Sequence, residues 1–201
     1  MRHHKDLIEI AKFLDHVNKS FSNLCDHQGS IVSAYNSLAE IWSDKVYSIT
    51  GEALCETAGT TEQAYNAFYD VCARLQKQHE ILCEYQEIDE ARHYGKISFP
   101  KNFVWEDTVL NNGKMIVEAS DIEAFEHALA DYLDSLEQEM TRIQQEYENV
   151  GDSWADNQYV QLGEELEEFC RNTARQIESL EQLGNLLERK RIKILESEDL
   201  A

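Results

Sequence analysis

The chain has 201 residues, with 39 Asp and Glu against 18 Lys and Arg, for a formal net charge of −21. That balance excludes the basic face that nucleic acid or an anionic membrane surface demands, so neither is an expected partner. A single proline, Pro100, and eight glycines leave few helix breakers, and the composition points to an all-α fold of long helices.

The first element is the strongest. Leu7, Ile10, Leu14, Val17, Phe21, Leu24, Ile31, Tyr35, Leu38 and Trp42 recur at alternating three- and four-residue spacing, with Gln28 as the one polar interruption. Such a seam keeps one helix face toward a partner helix. A second, more polar seam runs through Leu54, Ala58, Thr61, Tyr65, Phe68, Cys72, Leu75, His79 and Leu82 and extends toward residue 91, with Gly51, Gly59 and Thr60 weakening its first turns. Between residues 95 and 119, β-branched and aromatic residues flank Asn111-Asn112-Gly113, which predicts a β-hairpin or ordered loop. Ser120, followed by Asp121 and Glu123, predicts an N-cap with acids in the first helical turn. The third seam is Ile122, Phe125, Leu129, Tyr132, Leu136, Ile143, Tyr147, Val150 and Trp154, interrupted by Glu139. The fourth runs from Leu162 through Leu166, Phe169, Thr173, Ile177, Leu180, Leu183 and Leu187 to Ile194, with Arg189-Lys190-Arg191 expected to meet the negative end of the helix dipole.

An internal repeat organises these seams. Residues 35–54 aligned with 147–166, an offset of 112, share seven of 20 positions: Tyr35/Tyr147, Trp42/Trp154, Asp44/Asp156, Tyr47/Tyr159, Gly51/Gly163, Glu52/Glu164 and Leu54/Leu166. Composition alone would give about one. Both copies fall where one helix gives way to the next, so the chain reads as a duplicated helical hairpin: 1–94, a connector at 95–119, and 120–201. In each W-x-D turn, at 42–44 and 154–156, the indole closes the end of the interhelical seam. The Asp accepts from the first free N–H groups of the following helix.

Ile41-Trp42-Ser43-Asp44 and Ser153-Trp154-Ala155-Asp156, with their flanking seams, resemble the small W-x-G hairpin proteins, the early-secreted-antigen-like substrates and partners of type VII secretion. Asp stands where that family has Gly. The resemblance covers residues 5–91 and 120–196. It implies antiparallel four-helix bundles made of two hairpins, a pairing that two hairpins in one chain satisfy internally. It also implies an export tag, a Tyr followed four residues later by an acid, which Tyr85-Gln86-Glu87-Ile88-Asp89 matches.

Catalytic signatures are sparse. A di-metal carboxylate bundle needs Glu-x-x-His twice, and the sequence offers it once, at Glu90-Ala91-Arg92-His93. His79, near Cys72 and Cys83, is more simply a packed core residue than a ligand. The five cysteines (Cys25, Cys55, Cys72, Cys83 and Cys170) form no C-x-x-C pair, which argues against a disulfide framework or zinc ribbon. No phosphate loop, nucleophile elbow or H-E-x-x-H is present, and no metal or cofactor is expected. Trp105-Glu106-Asp107 lacks both the later Tyr and a flanking seam.

Acidity is uneven: residues 1–100 carry 15 acids and 9 bases, net −6, and residues 101–201 carry 24 and 9, net −15. Glu164, Glu165, Glu167 and Glu168 read first as a solvated face and second as a dock for a basic partner. The expected function is therefore a non-enzymatic protein-binding module that partners a basic or helical protein, such as a toxin or secretion component. The alternatives are self-association through Gln28, Glu139, Ile8 and Met140, and a metal-dependent bundle enzyme. No apolar run approaches the ~18 residues of a membrane span. Met-Arg-His-His-Lys leads into an amphipathic stretch, so a cytoplasmic protein, or one secreted without a cleavable signal peptide, is expected.

Overall fold

Each seam forms one helix: α1 (Arg2–Leu38), α2 (Lys45–Gln86), α3 (Ala119–Gly151) and α4 (Asn157–Glu198). The computed structural model describes residues 2–39, 41, 42, 44–86, 117–152, 154 and 156–198, with the backbone alone at 2–6, 61 and 198. The fold is an all-α helical bundle, without a strand among the described residues. The expected β-element of the connector, the Glu90-to-His93 motif, Trp105 and the extension of the second seam to residue 91 lie outside them. α2 runs unbroken through Gly51, Gly59 and Thr60, because burial of Leu54, Ala58, Tyr65 and Phe68 outweighs the weak helix propensity of its first turns.

Side-chain contacts fix the register. Tyr35 meets Phe125, Asn23 donates to Glu139 at 2.7 Å and His16 sits 3.0 Å from Glu146, so α1 lies antiparallel along α3. Phe68 stacks on Phe169 while Asp44 meets Lys190, so α2 lies antiparallel along α4. The order around the bundle is α1, α2, α4, α3, and the two hairpins are related by a pseudo-twofold axis across the bundle. The chain thus leaves α2 at one end and enters α3 at the other. α1 and α2 approach each other less closely than α3 and α4 do. Large rings explain this: Phe21 packs on Tyr65, Phe68 and Phe169, with centroids 4.2 to 5.9 Å apart. The positions 112 residues after Phe21, Tyr65 and Phe68 are the smaller Leu133, Ile177 and Leu180.

Three details depart from the sequence expectation. α3 is capped two residues earlier than Ser120, at Glu118, whose N–H donates to Asp121 Oδ2 at 3.0 Å. Leu82 is exposed and Cys83 is buried, because α2's inward face turns by one residue in its last turns, toward Leu7. As the turn at 42–44 requires, Trp42 lies beyond the end of α1, with its N–H donating to Leu38 O at 2.8 Å. Arg189-Lys190-Arg191 precede the end of α4 by two turns, so no dipole contact arises. Lys190 instead reaches Asp44, and Arg191 binds Glu126 at 2.7 Å. The seam positions expected to mediate self-association serve the fold: Gln28 and Glu139 are buried, and Ile8 and Met140 pack against the interior.

Gly51 and Gly163 sit where the hydroxyls of Tyr35 and Tyr147 cross the next helix, and a Cβ at either would overlap the hydroxyl. Tyr35 is buried and cannot move aside, whereas Tyr147 is half-buried. Gly51→Ala is therefore expected to destabilise by about 2 kcal/mol and Gly163→Ala by less. Gly29→Ala, where a Cβ meets nothing within 4 Å, should stabilise by up to ~1 kcal/mol. Chemical denaturation of the three variants reads this order.

Candidate functional site

The repeat builds the same corner twice. Asp44 Oδ1 accepts from the N–H groups of Val46 (2.8 Å) and Tyr47 (3.2 Å), and Asp156 Oδ1 from those of Gln158 (2.8 Å) and Tyr159 (3.1 Å). Each is a side-chain N-cap, worth ~1 kcal/mol to the helix that follows. Tyr35 lies flat on Tyr47 (centroids 4.5 Å, planes 4° apart) and Tyr147 on Tyr159 (4.3 Å, 3°). Their hydroxyls donate across the hairpin to the carbonyls of Tyr47 (3.2 Å) and Tyr159 (3.1 Å). Each tryptophan leans on the second tyrosine of its pair, with centroids 5.7 and 5.6 Å apart. The eight residues singled out by the W-x-D turns thus form two structural assemblies at opposite ends of the bundle: Trp42, Asp44, Tyr47 and Gly51, and Trp154, Asp156, Tyr159 and Gly163. Tyr35 and Tyr147 complete them.

The corners are not equivalent. At the first, Trp42 is 2% exposed, Tyr35 and Tyr47 are buried, and Lys190 Nζ reaches Asp44 Oδ2 at 2.5 Å. Burial raises the Asp44 carboxyl, but the Lys190 bond and the two backbone donors overcome that and hold it below its ordinary value. At the second, Trp154 is 8% exposed, Tyr147 and Tyr159 are half-buried, and no cation reaches Asp156 among the described residues. Beside this corner a groove of about 280 Å³ opens between Val71, Arg74, Leu75 and Gln78 of α2 and Gln158, Gln161 and Leu162 of α4. The groove was not anticipated. Extending the offset of 112 past residue 54 carries its signal, because it pairs Gln78 with Lys190 and Arg74 with Leu186.

Of the acidic run on α4, Glu164, Glu167 and Glu168 are exposed and Glu165 is half-buried. Arg171 binds Glu167 at 2.9 Å and Glu168 at 2.6 Å; exposed pairs of this kind contribute little to stability. Glu164 and Glu165 form no ion pair among the described residues.

His79 is a packed core residue. Its Nε2 donates to Leu7 O at 2.8 Å, and Cys83 Sγ lies 3.5 Å from the same nitrogen, which ties the start of α1 to the end of α2. Burial lowers its pKa. Burial also pushes the thiols of Cys25 and Cys170 up to about 11 and raises that of Cys72, so these three stay protonated and weakly nucleophilic near neutral pH. Among the described residues no group of three or more His, Cys, Asp or Glu side chains is placed to hold a metal ion. None of their helices is long and apolar enough to cross a membrane. A comparison with known proteins finds no matching family model and no significantly similar curated protein or solved structure.

The two inner tyrosines differ in one bond. Tyr159 donates its hydroxyl to Tyr147 O at 3.3 Å over Gly151, where a Cβ would overlap it. Ala39 stands at the corresponding position of the first corner, and the buried Tyr47 hydroxyl has no hydrogen-bond partner among the described residues. Tyr47→Phe should consequently leave stability unchanged or slightly raised, whereas Tyr35→Phe should cost ~1 kcal/mol. Equal losses in urea denaturation would refute this assignment.

Proposed function

We propose that this chain is a non-enzymatic protein-binding module, a fused W-x-G-like hairpin pair that acts as partner or chaperone for a basic or helical protein such as a toxin or secretion component. The observation that carries the reading is the doubled tryptophan corner, which turns both hairpin seams inward against each other. In this bundle most of the apolar seam positions are buried, and the charged side chains that face outward are mostly acids. Such a surface speeds encounter with a cationic partner and repels anionic ones. Tyr85, the first residue of the tag-like Tyr85-to-Asp89 sequence, is 86% exposed at the end of α2, which is compatible with recognition during export. The chain is made in the cytoplasm on this reading, whether or not it later leaves.

One feature favours the alternative of self-association: Ile81, Leu82 and Tyr85 form an exposed apolar strip on the last turns of α2. Light scattering across a concentration series separates the two, since a partner protein of the first kind stays monomeric when alone.

Affinity capture from the native host at low ionic strength tests the proposal. A basic protein should be recovered and then released as salt rises, because the Debye length shrinks from ~10 Å at 0.1 M to ~3 Å at 1 M. Capture of no protein at low salt would overturn it.

A further inference from the structure

We propose that the α2–α4 groove at the Trp154 corner docks a basic helical segment of the partner protein. The segment places one apolar side chain over Val71, Leu75 and Leu162, and one lysine or arginine on Asp156. This rests on the partner-binding reading above and locates its contact.

The chain supplies its own template. At the Trp42 corner, Val46 and Leu186 pack against the core and Lys190 binds Asp44. The residues 112 positions away are Gln158 for Val46, Arg74 for Leu186 and Gln78 for Lys190. Amides and a guanidinium thus replace two apolar side chains and a cation. The space left is the groove, floored by the buried Val71, Leu75 and Leu162. Asp156 keeps its capping bonds, but among the described residues no cation binds it as Lys190 binds Asp44. By the pseudo-twofold relation, a cation where Gln78 stands would reach Asp156, as Lys190 reaches Asp44. Leu186 and Lys190, one helical turn apart, show the pair of side chains that completes such a corner.

Size and charge agree. About 280 Å³ lies below the ~300–1,000 Å³ of small-molecule sites, and suits a side chain better than a substrate. Asp156, Glu164 and Glu165 make this end acidic, with Arg74 the one basic side chain lining the groove. Burial of an apolar side chain beside a single charged contact is how helical ligands gain affinity and register together.

The test uses the full chain expressed in its native host with a photo-crosslinking benzoylphenylalanine at exposed Asn157, and maps the attached peptide by mass spectrometry. The expected adduct is a segment of another protein with an apolar residue one helical turn from Lys or Arg. Its yield should fall about tenfold, equivalent to ~1.4 kcal/mol, in Asp156→Asn, which keeps the capping oxygen, and in the closed-corner variant Arg74→Leu/Gln78→Lys/Gln158→Val. Thermal unfolding reports whether the closed variant folds, and Asp156→Asn stands in if it does not. The inference is overturned by an adduct to an acidic segment or to a second copy of this chain, or by a yield that Asp156→Asn leaves unchanged. It is also overturned if no adduct forms while affinity capture still recovers a basic protein, an outcome that leaves the broader proposal standing. If capture is empty as well, both fail.

Discussion

Two tyrosine rings laid flat against each other, twelve residues apart in sequence, govern this molecule. The stack brings the last turns of one helix and the first turns of the next to a fixed separation, and the outer hydroxyl then finds a backbone carbonyl on the opposite helix. Gly51 and Gly163 must be bare for that hydroxyl to pass. The aspartate starts the second helix in register, and the tryptophan seals the end. Stacking of this kind contributes ~0.5–1.5 kcal/mol beyond area burial. Because the same constraint operates at both reversals, the two hairpins present matching seams and pair antiparallel about a common axis.

The helices and their faces were legible because few breakers interrupt a long three-four periodicity, and the corners were legible because the sequence repeats them. What escaped reading depended on neighbours remote in sequence. The cap of α3 at Glu118 rather than Ser120 is settled by a reciprocal bond to Asp121. Lys190 reads as a helix-end cation until the twofold pairing brings it to Asp44. Leu82 fits the periodic face, but α2 turns Cys83 toward Leu7 in its last turns. The groove arises from differences between the copies, and an alignment that scores identities passes over them.

Those differences give the duplication its functional interest. A perfectly symmetric bundle would close both ends alike. Here one end is finished by apolar packing and an internal ion pair, while the other carries amides, a spare carboxylate and half-buried tyrosines. The stabilising device is present in both halves, and the surfaces beside the two corners differ.

The central claim is that the two tryptophan corners lie at opposite ends of one antiparallel bundle. Electron spin resonance distance measurement between nitroxide labels at the exposed Lys45 and Asn157, on a background in which the native cysteines are replaced, addresses it directly. At 1.5 Å per residue along α1, the account predicts a single distribution centred near ~50 Å. A distance below ~25 Å would place the corners at the same end and contradict it.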